Sequence, residues 1–226
     1  SLGFRVLLAD LDPQGNATSG VGQNKKNLRH SMYDALLGGC SPAAAVVPTR
    51  FDGLWLLPAT MDLAGAEIEL LDREKREYSL RSVLAAVGED FDFVFTDCPP
   101  SLGMLTINAL SCSHGVVIPM QCEYYSLEGL SQLMISIKKV KQLYNPALSI
   151  TGILITMYNG RLNLSTQVLA ELKRYYADKL FKTPVVRNVK LSEAPSFGEP
   201  IFYHDKYSKG SLAYMEIAKE LIGRVL

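Results

Sequence analysis

Three aspartates stand where a polypeptide can place charge against a ligand. Asp10 and Asp12 close the run "VLLADLD", and Asp97 closes "FDFVFTD". Each run is apolar and too short for anything but a strand entering a core. Each is followed at once by turn chemistry, Pro13-Gln14-Gly15-Asn16 after the first and Pro99-Pro100-Ser101 after the second. In open α/β sheets ligands bind at the carboxyl ends of strands. An aspartate delivered there by a strand such as Phe93–Asp97 has the form of a Walker B carboxylate, which holds a magnesium ion directly or through water. A lone strand-end aspartate is more often a helix N-cap or a turn former. Two such ends in one chain shift the balance toward chemistry.

The elements that must position these carboxylates alternate along the chain. Strands are expected at Arg5–Ala9, Leu54–Pro58, Phe93–Thr96, Gly115–Pro119, Ile150–Thr156 and Pro184–Arg187, each short, apolar and bounded by Gly, Pro or polar residues. Helices are expected at Ser31–Leu37, across Asp62–Val87 as one broken or two consecutive helices, and at Leu102–Ser111, Ser126–Tyr144, Asn163–Lys179 and Ser208–Val225. This alternation predicts βαβ units: an α/β fold with a mainly parallel sheet, helices on both faces, and a single domain over residues 1–226.

Composition excludes several classes. With 48% hydrophobic and 20% charged residues the chain is ordinary for a globular domain. Its longest apolar run is far short of the ~18 residues that span a bilayer, and its start does not resemble a signal peptide, so a cytoplasmic protein is expected. Cys40, Cys98, Cys112 and Cys122 form no C-x-x-C pair and are expected to be buried thiols. His30, His114 and His204 have no partners at ligand spacing. The zero net charge is uneven: residues 1–137 carry 9 basic against 16 acidic residues, and residues 138–226 carry 14 against 7. A basic face toward the C-terminus or simply solvated helix surfaces would each give this asymmetry.

A third stretch, "PMQCEYYSLEGLSQL", together with "DLDPQGNATSG", "DCPPSLG", "ITMYNGRLNLSTQV", "RNVKLSEAPSFGEPI" and a terminal helix, appears in one order and spacing. The set resembles the ParA/Soj family of chromosome- and plasmid-partitioning ATPases, the deviant Walker A group of P-loop NTPases. The resemblance implies a magnesium-dependent ATP hydrolase that forms an ATP-dependent homodimer, binds DNA non-specifically without a membrane, associates with the nucleoid, and is stimulated by a partner of the ParB/Spo0J type. Carried over by position, Asp12 is the aspartate that orients and activates the attacking water, Asp10 supports it, and Asp97 is the carboxylate near magnesium. The chemistry is coherent, since phosphoryl transfer depends on placing a water in line and on neutralising charge.

The resemblance also places the nucleotide base near Met157, Asn159, Pro184 and Asn188. Adenine is preferred over guanine because the only Asn-Lys cluster, "NKKN" at Asn24–Asn27, lies on the wrong element for a guanine site. Asn159 stands where the family often has Asp, and Leu162 where it often has Thr. Phosphate contacts to DNA are expected from Lys173, Arg174, Arg187, Lys190, Lys206 and Lys209, although "HDKYSKG" is less Arg-rich than the family pattern. Tyr124 and Tyr125 are expected at the sheet end or a dimer surface.

One part of the pattern is missing from these 226 residues. No G-x-x-x-x-G-K-[ST] segment occurs; Gly15–Gly20 comes nearest, but Val21-Gly22 follows. In the family the phosphate loop precedes the "DLDPQGN" turn, and here nine residues precede Asp10. Truncation is the expected cause: Ser1-Leu2-Gly3 resembles the end of the family's first helix, and the first strand and phosphate loop are expected to be lacking. Unpaired strand edges, a tendency to aggregate and weak ATP binding would follow. Competing readings are an adaptor without a phosphate loop that binds DNA or a partner, a MinD-like membrane-cycling ATPase, and an iron–sulfur carrier. The MinD-like reading lacks a basic amphipathic tail, and the iron–sulfur reading lacks suitably placed cysteines.

Overall fold

Alternation along Val6–Asp10 sets the frame of the first of two compact units. The computed structural model describes residues 2–226, and the chain folds into one unit comprising residues up to Cys112 with Pro195–Pro200, and a second comprising Ser113–Ala194 with Ile201–Leu226. Leu2 and Gly3 are not helical, Gly3 having a φ of 84°; Ser1 lies outside the described residues.

In the first unit, chain order runs β1 (Val6–Asp10), α1 (Asn16–Gly20), α2 (Met32–Leu37), α3 (Pro42–Ala45), β2 (Val47–Pro48), β3 (Leu54–Leu57), α4 (Leu63–Glu69), α5 (Ser79–Ala85), β4 (Phe93–Asp97) and α6 (Met104–Cys112). The sheet has the order β2-β3-β1-β4; β1 runs parallel to both β3 and β4, and the two-residue β2 is antiparallel to β3. Leu7 and Ala9 project from β1 into a core with Leu57, Met32 and Leu36 of α2, Leu63 of α4, Leu80 of α5 and Leu105 of α6. Leu8 faces the other way, against Val21, Phe51 and Leu56. This is the period-two pattern that a strand covered on both faces requires. The stretch expected as one broken or two helices is α4 and α5, joined by short 3-10 turns at Leu70–Asp72 and Arg76–Tyr78. Among the described residues β4 pairs only with β1, and Phe95 on it is 41% exposed.

A strap closes this unit. The Arg50 guanidinium donates to the carbonyls of Phe197 and Gly198 and pairs with Glu199 at 3.0 Å. Gly22 and Gly198 meet back to back, both at positive φ, so that a Cβ on Gly198 would lie 2.7 Å from the Gly22 Cα. Only glycine satisfies both the conformation and the space there.

The second unit contains β5 (Gly115–Gln121), α7 (Tyr124–Leu143), β6 (Ser149–Thr156), α8 (Asn163–Tyr176), α9 (Val189–Glu193), α10 (Ile201–His204) and α11 (Lys209–Val225). Strands β5 and β6 are parallel and joined through α7, a βαβ unit. The strand expected at Pro184–Arg187 does not form. The chain from Lys179 to Val186 follows β6 through bonds from Phe181 to Ile153, from Ile153 to Lys179 and from Val185 to Ile155, with an isolated bridge at Tyr158–Val186. Phe181 bonds to Ile153 and Val185 to Ile155, so four residues of this run oppose two of β6, and that slip keeps it from becoming a regular ladder. Helix α7 begins at Tyr124, two residues before the expected Ser126, and α8 ends at Tyr176 rather than Lys179. Ser208 caps α11, accepting the Ser211 N–H at 3.2 Å. Near the other end of α11, Arg224 donates to the carbonyls of Thr151, Lys179 and Leu180, pairs with Glu220 at 2.7 Å and lies over the Phe181 ring. No helix among the described residues is long and apolar enough to cross a membrane.

Candidate active site

Parallel pairing of β1 with β4 sets Asp10 directly beside Asp97, and the Leu11 N–H donates to the Asp97 carbonyl at 2.8 Å. Both aspartates therefore reach the same edge of the sheet, at the carboxyl ends of their strands. Asp10 is fully buried. One of its oxygens, Oδ2, accepts the Thr18 N–H at 2.8 Å and the Thr18 hydroxyl at 2.7 Å, while Oδ1 accepts the Asp12 N–H at 3.1 Å. The Thr18 oxygen in turn accepts the Ala59 N–H at 3.0 Å, which ties the turn after β1 to the chain leaving β3. Burial pushes the Asp10 carboxyl above the ordinary range, against the opposing pull of these hydrogen bonds. Asp10 is thus spent on shaping the turn and offers no open oxygen to a substrate.

That turn carries Asp12. Its Oδ1 accepts the Gln14 N–H at 2.9 Å and its carbonyl accepts the Gly15 N–H at 2.8 Å, an Asx turn of the kind short acidic side chains form. Gly15 sits at φ 61°, where a Cβ would lie 2.8 Å from the Ala59 carbonyl. Lys25 braces the same turn from outside, its Nζ donating to the Gln14 carbonyl. The Asp12 carboxylate is consequently oriented from its own backbone, through Oδ1.

Asp97 differs from both. No hydrogen bond reaches its carboxylate from the described residues, and the residue is exposed. Desolvation, followed by the negative charges of Asp10 and Asp12, pushes it up to about 6. A site with surplus negative charge and a carboxylate that no protein group hydrogen-bonds suits a divalent cation. Among the described residues no group of three or more His, Cys, Asp and Glu forms a metal cage. Magnesium does not need one, because it commonly takes one or two carboxylates and completes its shell with water and substrate phosphates.

The remaining expected site residues lie in the second unit. Met157, at φ 50° and more than half exposed, follows β6. The Tyr158 N–H donates to the Val185 carbonyl at 2.9 Å, so the segments Met157–Asn159 and Pro184–Asn188 do come together. The two asparagine side chains serve their own backbones, Asn159 accepting the Arg161 N–H and Asn188 the Lys190 N–H. Lys173 and Arg174 occupy the last turn of α8. Arg187, Lys190, Lys206 and Lys209 are exposed along the stretch that carries α9, α10 and the start of α11, where Lys190 is paired with Glu193 at 2.9 Å.

Two side expectations need correction. Only Cys122 is buried; Cys40, Cys98 and Cys112 are half-buried, because they pack at the margin of the core. Burial still holds the thiols protonated, with Cys98 pushed up to about 12 and Cys112 to about 11. Tyr124 and Tyr125 meet edge to face and are exposed, so of the two places expected for them the packed sheet end is excluded and the dimer surface is left. Sequence reading passed over Thr18, Lys25 and the Ala59 amide, whose roles depend on contacts made through the fold; the one local signal was a threonine eight residues past Asp10.

Comparison with known proteins agrees with this arrangement. The family model described as "AAA domain" matches residues 1–150. The sporulation initiation inhibitor protein Soj of Bacillus subtilis is 50% identical over 220 residues, covering 97% of this chain and 87% of that protein. The chromosome partitioning protein ParA of Myxococcus xanthus is 47% identical, covering 97% of this chain and 78% of that protein. A solved structure described as cobyrinic acid a,c-diamide synthase from Mycobacterium smegmatis with bound ADP and magnesium superposes with a TM-score of 0.83 at 41% identity, over 97% of this chain and 82% of that one. A complex of a Cyanothece McdA variant with ATP, at 19% identity and a TM-score of 0.86 over 98% of this chain and 86% of that one, shares the fold. With half of its residues identical to Soj across nearly its whole length, and with the strand-end aspartates of a P-loop NTPase fold, this chain belongs to the ParA/Soj family of chromosome-partitioning ATPases.

Proposed function

We propose that this protein hydrolyses ATP at the β1–β4 edge and uses the cycle to partition DNA. The observation that carries the reading is the pairing of an oriented carboxylate, Asp12, in the turn that leaves β1, with Asp97, a carboxylate that no described residue hydrogen-bonds, at the end of the adjacent parallel strand β4. Asp97 would hold magnesium, which when bound neutralises charge on the phosphates. Asp12, held by the Gln14 N–H at Oδ1, would orient the attacking water by accepting a hydrogen bond from it. Asp10, through Thr18 and the Asp12 N–H, keeps that carboxylate from swinging away. The ADP, ATP analogue and magnesium named for solved structures at 41% identity support nucleotide and magnesium as ligands of this site.

The adenine is proposed to lie against Met157–Asn159 and Pro184–Asn188, which the fold brings into contact. One ATPase domain would comprise both units. An ATP-dependent homodimer, non-specific DNA as the surface it travels on, a ParB-type partner that stimulates turnover, and a nucleoid-associated cytoplasmic location complete the reading. They are supported by the chromosome-partitioning names of the relatives and by the basic residues of the second unit.

The direct test is Asp12→Asn in the full-length gene product, since the carboxamide oxygen can still accept the Gln14 N–H and preserve the turn. ATP binding is expected to persist while turnover falls by about a hundredfold or more, the scale of losing a positioned proton acceptor. Normal turnover in this variant would remove Asp12 from the mechanism.

A further inference from the structure

Helix α6 begins directly after the loop that leaves Asp97, and a residue far from it in sequence caps it. Glu67, on α4, reaches the first turn of α6 with both carboxylate oxygens: Oε2 accepts the Met104 N–H at 2.7 Å and Oε1 accepts the Leu105 N–H at 3.2 Å. The approach is possible only because residue 103 is glycine. A Cβ there would lie 2.5 Å from Oε1 and 2.7 Å from Oε2. The loop is gripped a second time where the Thr106 hydroxyl donates to the Ser101 carbonyl at 2.6 Å. Further along α6, the buried Asn108 accepts the Leu80 N–H and donates to the carbonyls of Arg76 and Met104, so the helix itself has a fixed seat.

A helix start can be capped locally by Ser, Thr, Asp or Asn. Here the cap comes from α4, so the course of residues 98–103 depends on where α4 lies. The segment leading into α4 begins at Ala59, whose N–H is bound by Thr18, which in turn holds Asp10. Residues 59–67 therefore run from α1, where the Ala59 amide meets the Thr18 that holds Asp10, to the first turn of α6, where Glu67 caps the helix that the loop after Asp97 enters.

We propose that Glu67 is a positioning residue of the hydrolytic site, holding the segment that leaves Asp97 so that its carboxylate meets the metal in register with the Asp12 turn. The inference rests on the reading of Asp97 given above. Nothing in it requires Glu67 to touch nucleotide or metal.

The test compares Glu67→Ala, Glu67→Gln and Gly103→Ala with wild type in the full-length gene product, following ATP turnover against magnesium concentration and amide hydrogen exchange at residues 98–105. Glu67→Ala is expected to raise the magnesium concentration for half-maximal turnover roughly tenfold, the scale of a lost charge-assisted hydrogen bond. Exchange at Met104 and Leu105 should accelerate, while nucleotide binding without magnesium stays unchanged. Glu67→Gln, which keeps one acceptor oxygen, should fall between. Gly103→Ala should reproduce the Glu67→Ala profile by displacing the carboxylate, and should add little in the Glu67→Ala background. A cap with only a structural role would lower the melting temperature and leave the magnesium requirement where it was, and that result overturns the proposal. Absence of magnesium-dependent turnover in the wild type would instead refute the reading of Asp97, and this inference with it.

Discussion

Replacing Asp97 by Asn should make the protein more stable and at the same time inactive. Asp97 has its carboxyl raised from 3.8 to about 6 by desolvation and by the charges of Asp10 and Asp12. The folded state holds that proton more tightly than the unfolded chain, so stability falls as pH climbs from about 4 to 6 and the cost is fully present above it. A shift of roughly two units corresponds to about 3 kcal/mol before solvent is considered. Because the residue is exposed, screening reduces the expected figure to about 1 kcal/mol. Asp97→Asn is isosteric and abandons no hydrogen-bond donor among the described residues, so it removes the repulsion without leaving a partner unsatisfied. At pH 7.5 without magnesium the variant should melt about 2–4 °C above wild type, and the gap should close at pH 4. Millimolar magnesium should raise the melting temperature of wild type at pH 7.5 and leave the variant unmoved. Thermal unfolding followed by circular dichroism at the two pH values measures all of this. A variant less stable than wild type at pH 7.5 without magnesium would show that the carboxylate is not under repulsion and would remove the main reason to place a cation there.

Asp10→Asn should act in the opposite direction although it too removes a charge: an amide nitrogen facing Thr18 leaves a buried donor without its acceptor, at a cost of about 1–3 kcal/mol, and an equally stable variant in urea melts would refute the hydrogen-bond assignment. For the DNA surface, the double substitution Arg187→Ala/Lys209→Ala should weaken duplex retention uniformly across sequences and reduce the slope of log affinity against log salt by about one for each phosphate no longer neutralised. A salt slope equal to that of wild type would acquit both residues.

The parts of the site legible in the sequence are those whose logic is local. "VLLAD" and "FVFTD" announce themselves because an apolar run that ends in Asp and a turn can be little else, and pairing β1 with β4 then brings the two acids together. Helix α1 was hidden because Asn16-Ala17-Thr18-Ser19-Gly20 reads as loop; what makes it helical is the buried Asp10 carboxylate holding Thr18, together with Gly15 in a left-handed conformation. Pro184–Arg187 carries the apolar content of a strand, but a two-residue slip between Phe181 and Val185 breaks the ladder beside β6, and only the pairing shows it. Glu67 could not be found from sequence at all, since a glutamate among Ala66, Ile68 and Glu69 looks like any solvated helix residue until α6, 37 residues later in the chain, is laid against it.

The Arg50–Gly198 strap has a consequence for the order in which this protein can be made. The first unit holds its four strands by Cys112, yet its last hydrogen bonds join residues 147 to 149 positions apart. On a ribosome the whole Ser113–Ala194 part of the second unit must be synthesised before Phe197, Gly198 and Glu199 can meet Arg50. Closing so long a loop late is entropically slow. For that interval the face around Gly22 lies open on a nascent chain, and a ribosome stalled between residues 112 and 195 would present a first unit with its sheet assembled and its latch still unmade.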